Sequence, residues 1–194
     1  MRYAPHHKQL TRERIREAAA RLFRRKGYAA TGVDTIMAAA GMTAGGFYGH
    51  YRSKEALLGD ALDTAFLQST DRTDARRAEL GETEQIRRFV ETYLSSGHRD
   101  APEHGCPMPA LAADVSRLKP RARSVFENHL RRRIADIGAQ LGRSPEDDCL
   151  PIAALATCVG GLMLARAVKD RAFSDHILEA CRTELLRDVD GTGR

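Results

Sequence analysis

Residues 31–57, TGVDTIMAAAGMTAGGFYGHYRSKEAL, contain two short helical patterns separated by a glycine turn. The first pattern runs from Val33 to Ala40 with apolar residues on one side, and the second runs from Ala44 to His50. Between them, Gly41 suits a positive φ angle and Thr43 suits the N-cap of the second helix. Two short helices joined by such a turn are typical of a helix-turn-helix, in which the outer face of the second helix enters a DNA major groove.

Helical periodicity continues on both sides of this stretch, and no run of residues alternates as a strand would. On the N-terminal side, a helix is predicted from Thr11, as its N-cap, to Lys26, with Gly27 ending it. On the C-terminal side, Ser53 is predicted to cap a longer helix, and residues 98–105 to form an irregular loop. Further helices are predicted over residues 83–97, 107–115, 120–141, 145–169 and 174–189. The predicted fold class is therefore all-α.

Basic residues are concentrated near the N-terminus. Residues 1–55 contain 11 Lys and Arg against 4 Asp and Glu, a net charge of +7, whereas the remaining residues carry a net charge of −2. A basic head on a nearly neutral body is typical of a polyanion-binding module, although a solvated basic helix has the same charge. Aromatic residues make up 6% of the chain and Trp is absent, so a surface that binds bases by stacking is not expected.

The composition argues against several other classes of protein. No apolar run of about 18 residues is evident, so no membrane-spanning helix is predicted, and the N-terminus lacks the apolar core of a signal peptide. The four cysteines include no CxxC pair, which argues against a disulfide framework and a zinc finger and favours a cytoplasmic protein. No phosphate loop, GxSxG or HExxH motif is present, so neither an enzyme nor a cofactor nor a metal ion is predicted. A helical enzyme and a helical adaptor that binds no DNA remain alternatives.

Residues 31–57 also resemble the DNA-binding signature of the tetracycline-repressor (TetR) family, and the resemblance is dense over residues 15–62. It implies about nine helices, with a helix-turn-helix DNA-binding domain over residues 1–52 and a helical ligand-binding and dimerisation domain over residues 53–194. The implied function is that of a homodimeric transcriptional regulator, expected to be a repressor that a small molecule releases from a pseudo-palindromic operator.

The same resemblance implies a set of residues that contact DNA. Thr43 would cap the second helix and contact a phosphate, while the segment from Ala44 to Gly46 would face base edges. Gly46 stands where the family often has Thr or Ser, and Met37 stands where a small residue is usual. Because Ala-Gly-Gly offers few hydrogen bonds, specificity is expected to depend on thymine methyl groups, DNA shape or the basic N-terminal arm. The complete implied set is Thr31, Thr43, Ala44, Gly45, Gly46, Tyr48, His50 and Lys54.

Gly160 and Gly161 lie inside an otherwise strongly apolar helical pattern. Each interior glycine costs about 1 kcal/mol relative to alanine, so close approach of another helix is expected there. Packing within one subunit is the alternative. With the last predicted helix, this segment resembles the family's contribution to a four-helix dimer interface. The predicted interface residues are Ile152, Leu155, Val159, Gly160, Gly161, Met163, Ile177, Cys181 and Leu185.

Cys106 precedes a helix predicted to begin at Pro107. A thiol at a helix N-terminus has its thiolate favoured by free N–H groups, and His104 would add to this if it were protonated. The Gly-Cys pair resembles a branch of the family that includes regulators responding to electrophiles and oxidants. Cys106 is therefore a candidate sensor, and a small residue packed near the pocket is the alternative. A metal site formed by His98, His104 and Cys106 has poor support from their spacing.

Overall fold

The computed structural model describes residues 5–74 and 80–189, and these residues contain nine α-helices, two 3₁₀ helices and no strand. The all-α prediction is confirmed. The elements are α1 (Pro5–Lys26), α2 (Val33–Ala39), η1 (Ala44–Gly49), α3 (Lys54–Asp74), α4 (Glu82–Tyr93), α5 (Ser96–Asp100), η2 (Pro102–His104), α6 (Met108–Val115), α7 (Pro120–Gln140), α8 (Cys149–Ala167) and α9 (Arg171–Val189), where η denotes a 3₁₀ helix.

The predicted start of the first helix is wrong. Helix α1 begins at Pro5, and Thr11 lies within it. The Thr11 hydroxyl donates to the carbonyl of His7 at 2.8 Å, which is the bond that a threonine makes to the preceding turn inside a helix. The end of the helix was predicted correctly, since Gly27 has a φ angle of +80°.

Several further boundaries differ from the sequence prediction. Helix α4 ends at Tyr93 and not at residue 97, and α9 begins at Arg171 and not at residue 174. Two other differences have a visible local cause. The predicted loop at residues 98–105 is largely helical, because Ser95 accepts a hydrogen bond from the N–H of His98 and starts α5. The long helix predicted from Pro145 begins at Cys149, since a turn comes first in which the N–H of Asp147 donates to the carbonyl of Ser144. Both differences arise from local capping and turn bonds that hydrophobic periodicity does not reveal.

The described residues form two compact units. The first comprises those of the segments Met1–Ser69 and Pro102–Glu127. Its apolar side chains come from all the helices around the glycine turn and from α6. The fully buried large ones are Ile15, Phe23, Ile36, Met37, Phe47, Leu57, Leu58, Leu62 and Leu111.

A buried arginine ties distant parts of this first unit together. Arg24, on α1, is only 3% exposed. Its guanidinium donates to the carbonyls of Ala65 and Gly105, both at 3.2 Å, and to the side chain of Gln68 at 2.7 Å. The side chain therefore joins α1 to α3 and to the segment that precedes α6.

The second unit comprises the described residues of Thr70–Ala101 and Asn128–Arg194. Helices α8 and α9 pack against each other, and the Ser174 hydroxyl donates to the carbonyl of Ala165 at 2.6 Å. Gly161 allows this close approach, because a Cβ at this position would lie 2.7 Å from Cys181 Sγ and 3.2 Å from Leu94 Cδ2. Within the described ranges, α8 alone has the length and apolar composition of a membrane-spanning helix, contrary to the sequence prediction, although core helices also meet this criterion.

Candidate nucleic-acid interface

The turn between α2 and η1 has the geometry that the sequence predicts. Gly41 has a φ angle of +74°, and the N–H of Met42 donates to the carbonyl of Met37 at 2.9 Å. Ile36 and Phe47 are fully buried, so one side chain from each helix fixes the two helices against the core. The second helix is a short 3₁₀ helix rather than an α-helix, and it ends at Gly49.

One continuous surface carries most of the predicted DNA contacts. Thr43 occupies the N-cap position in an extended conformation, but its side chain makes no capping hydrogen bond. Ala44, Gly45 and Gly46 follow it with exposed positions, and the Tyr48 side chain is 74% exposed. A hydroxyl, a phenol and exposed backbone are therefore available together on η1 and its N-cap residue.

Gly46 and Met37, the two positions at which this sequence departs from the family pattern, lie next to each other. A Cβ at Gly46 would lie 3.6 Å from Met37 Cε, which is an ordinary van der Waals distance. Space alone therefore does not require glycine at this position. Its effect is to leave this exposed position of η1 without a side chain.

Thr31 lies in the interior of the protein, although the family resemblance placed it among the DNA contacts. It is fully buried, and its hydroxyl donates to the carbonyl of Gly27 at 2.7 Å. A phosphate contact would require this buried group to break its hydrogen bond and reach the surface. We therefore correct the interpretation of Thr31 to a residue that fixes the turn between α1 and α2.

Lys54 is held by the same turn. Its ammonium group donates to the carbonyls of Tyr28 at 3.0 Å and Thr31 at 3.1 Å, and it lies 4.2 Å from the centre of the Tyr28 ring. Since an ammonium has three donors, only one N–H is left for a phosphate. The structure thus gives Lys54 a stabilising role that the sequence interpretation lacked.

Replacing Lys54 with Met is expected to lower the free energy of unfolding of the DNA-free protein by about 1–3 kcal/mol, because two carbonyls lose a charged donor. Urea unfolding measures this loss. Arg52→Met is the matched control, since Arg52 is exposed and its replacement is expected to change stability by less than about 0.5 kcal/mol. Equal stability of Lys54→Met and the parent would show that the bonds to the turn contribute nothing.

His50 ends the predicted contact segment in a strongly cationic environment. Burial lowers its pKa, and the nearby charges of Lys8, Arg12 and His7 lower it further. Its buried Nδ1 has no hydrogen-bond partner among the described residues. The imidazole therefore lies where positive side chains converge, an arrangement suited to an incoming phosphate.

Arg12 belongs to the same surface and was missed by the sequence interpretation. Its guanidinium lies 4.8 Å from the centre of the Tyr51 ring and donates to the Tyr51 hydroxyl at 3.2 Å. It also pairs with Asp60 at 2.7 Å. The only sequence signal for it was the high density of basic residues in α1.

The predicted dimer residues divide into two groups. Ile152 and Met163 are exposed, and Val159, Gly160 and Ile177 are partly exposed. In contrast, Leu155, Gly161 and Leu185 are buried within their own chain, and Cys181 packs against Gly161, so these four serve intrachain packing. Two exposed apolar side chains were missed, Leu164 at 60% and Phe173 at 53% exposure.

Cys106 is partly buried and lies immediately before the N-terminus of α6, where Pro107 occupies the N-cap position. Its predicted place before a helix is thus confirmed. Across the part of the chain that the structure describes, no group of three or more His, Cys, Asp or Glu side chains is arranged to hold a metal ion.

Residues 15–61 match the family model described as bacterial regulatory proteins, tetR family. The chain belongs to the TetR family. The matched residues run from the middle of α1 through α2, the glycine turn and η1 into the first part of α3, which are the elements that build the surface described above.

Known members of the TetR family and related regulators resemble this chain over different lengths. The uncharacterized HTH-type transcriptional regulator YerO of Bacillus subtilis (strain 168) is 49% identical over 47 residues, which is 24% of this chain and 16% of that protein. The HTH-type transcriptional repressor DhaR of Mycobacterium sp. (strain GP1) is 25% identical over 188 residues, 92% of this chain and 94% of that protein. A TetR transcriptional regulator from Chloroflexus aurantiacus J-10-FL has a crystal structure with a TM-score of 0.77, 28% identity, and coverage of 94% of this chain and 97% of that one. This TetR-family protein is a DNA-binding transcriptional regulator and not an enzyme.

Proposed function

We propose that this TetR-family regulator is a cytoplasmic homodimer that represses transcription from a pseudo-palindromic operator and releases it when a small molecule binds. The observation that carries the proposal is the exposed surface of η1, held on a fully buried framework of Ile36 and Phe47. Thr43, Tyr48 and His50 are proposed to contact phosphates, and the segment from Ala44 to Gly46 to face base edges. Repression is inferred from the repressor DhaR, because its similarity extends over nearly the whole chain.

An exposed apolar stripe on α8 supports the dimer. Ile152, Gly160, Met163 and Leu164 recur at helical spacing on the side of α8 opposite to the residues buried against α9. On α9, the ring of Phe173 is also exposed. Large contiguous apolar patches mark interaction sites, and a two-fold operator requires two DNA-binding heads. We therefore propose that the stripe pairs with the same surface of a second copy.

The effector would act by binding one dimer shape better than another. A hundredfold loss of operator affinity requires about 2.7 kcal/mol of differential binding between the two shapes. Cys106 is proposed as a second route to the same change, through covalent modification of its thiol. Its neighbour Gly105 accepts a hydrogen bond from Arg24 of α1, so a change at Cys106 lies one residue from a direct contact with the DNA-binding helices.

Selection of bound duplexes from a random pool tests the proposal. We expect a pseudo-palindrome with half-sites about 34–36 Å apart, or a multiple of this, bound by two chains. Tyr48→Phe, which removes only a hydroxyl, is expected to weaken all duplexes similarly by about five- to tenfold. Failure to enrich any duplex, or binding by a single chain, would contradict the proposal.

Release is measured on the selected duplex with a panel of small molecules and with electrophiles, for the parent and for Cys106→Ser. Loss of release by electrophiles in Cys106→Ser alone supports the thiol route. Equal release in both proteins would reduce Cys106 to a packing residue and leave the non-covalent effector in place. Absence of release by every compound would count against ligand response altogether.

A further inference from the structure

The corner between α6 and α7 carries a dense cluster of positive charge in the first unit. Residues 116–124 read SRLKPRARS, with four cations and no acid. All four cationic residues are exposed, with side-chain exposures of 83% for Lys119 and 68% for Arg121. We call this set the α6–α7 corner; it consists of Arg117, Lys119, Arg121 and Arg123.

The corner is fixed to the end of α3 that follows the helix-turn-helix. The backbone N–H of Lys119 donates to Glu55 Oε1 at 3.0 Å. Glu55 directly follows Lys54, the first residue of α3, and only residues 50–53 separate η1 from α3. The side chain of Glu55 therefore connects the corner to the start of α3, which follows the proposed DNA-binding segment in the chain.

A shared carboxylate extends the same connection along α3. Asp60 pairs with Arg121 of the corner at 2.9 Å and with Arg12 of α1 at 2.7 Å. Two of the corner's cations are thus tied to acidic residues of α3, since Lys119 also lies 4.0 Å from Glu55. Within the described residues, Arg117 and Arg123 form no ion pair, so their charges are available to another partner.

We propose that the α6–α7 corner contacts backbone phosphates of DNA that flanks the recognised half-site. Duplex DNA is favoured because the corner is bonded to Glu55, at the start of the helix that directly follows the helix-turn-helix, and because phosphates require only positive charge and not base-specific groups. The contact lies outside the helix-turn-helix and adds affinity without adding sequence information. This inference rests on the proposed function.

The test compares two duplexes, one that ends at the outer edges of the selected operator and one that continues for about 10 bp on each side. Salt dependence of binding is measured for the parent and for the double variant Arg117→Gln/Arg123→Gln, which keeps both ion pairs to α3. On the long duplex, the double variant removes two phosphate contacts from each chain of the dimer and is expected to lose about 3.6 from the salt slope, so that its affinity ratio between about 50 and 200 mM salt falls roughly 150-fold. On the short duplex, the parent and the double variant are expected to behave alike.

Arg132→Gln/Lys169→Gln is the matched control, because it removes two exposed charges from the second unit. It is expected to match the parent on both duplexes.

An unchanged slope for the corner variant on the long duplex would overturn the inference, as would an equal loss on the short duplex or in the control variant. If the parent binds the short duplex while the corner variant equals the parent on the long one, only the corner assignment fails. If the parent binds neither duplex, the proposed function fails and the corner assignment fails with it.

Discussion

Arg24→Met is expected to lower the free energy of unfolding by about 3 kcal/mol, since four buried or partly buried acceptors lose a charged donor at once. This one guanidinium donates to the carbonyls of Ala20, Ala65 and Gly105 and to the side chain of Gln68. Methionine keeps most of the volume, so the expected loss is that of hydrogen bonds and not of packing. Urea unfolding followed by circular dichroism measures the change.

The neighbouring residue supplies the control for this substitution. Arg25 is exposed at the end of the same helix, and Arg25→Met is expected to change stability by less than about 0.5 kcal/mol. A loss of equal size in both variants would assign the effect to α1 in general and not to the bonds of Arg24. A parent-like stability of Arg24→Met would show that these bonds only balance the cost of burying the charge.

Gly161→Leu is expected to destabilise the second unit by about 3 kcal/mol or more, because a side chain there has no space. Even its first carbon would lie 2.7 Å from Cys181 Sγ and 3.2 Å from both Cys181 Cβ and Leu94 Cδ2. Helices α8 and α9 would have to separate to admit the remaining atoms. Thermal and urea unfolding at fixed protein concentration measure the effect.

Gly160→Ala is the matched control one residue away, since a Cβ at Gly160 meets nothing within 4 Å in the chain. Because alanine has the higher helix propensity, Gly160→Ala is expected to raise the free energy of unfolding by about 1 kcal/mol. Gly161→Leu with parent-like stability would contradict the packing described for α8 and α9. A loss of dimer in Gly160→Ala with an intact fold would place the partner's backbone against Gly160.

Features set by short-range chemistry were predictable from the sequence. Gly27 and Gly41 occupy the left-handed region as expected, because helix ends and tight turns require it. Ser53 caps α3 as expected, with its hydroxyl oxygen accepting from the N–H of Ala56 at 3.0 Å. Ile36 lies on the apolar side of the first short helical pattern and is buried, as the periodicity of residues 33–40 predicts.

Features set by distant parts of the chain were not predictable in the same way. Thr31 and Lys54 matched the family's DNA-contact positions, yet their polar atoms bond to carbonyls of the turn at residues 27–31. The sequence gives the type of each side chain but not the partner that tertiary structure brings to it. Likewise, α8 is apolar on several sides, so periodicity could not separate the buried Gly161 from the adjacent Gly160.

The first unit consists of two stretches separated by residues 70–101, and this has a consequence for its synthesis. The first stretch leaves the ribosome before the second exists. At about 5–20 residues per second, several seconds pass before residue 127 is added. During that interval Arg24 lacks Gly105, the N–H of Tyr28 lacks the carboxylate of Asp114, and Asp60 lacks Arg121. The first stretch of the nascent chain is thus expected to be most vulnerable to proteases and chaperone capture until residues 102–127 have been translated.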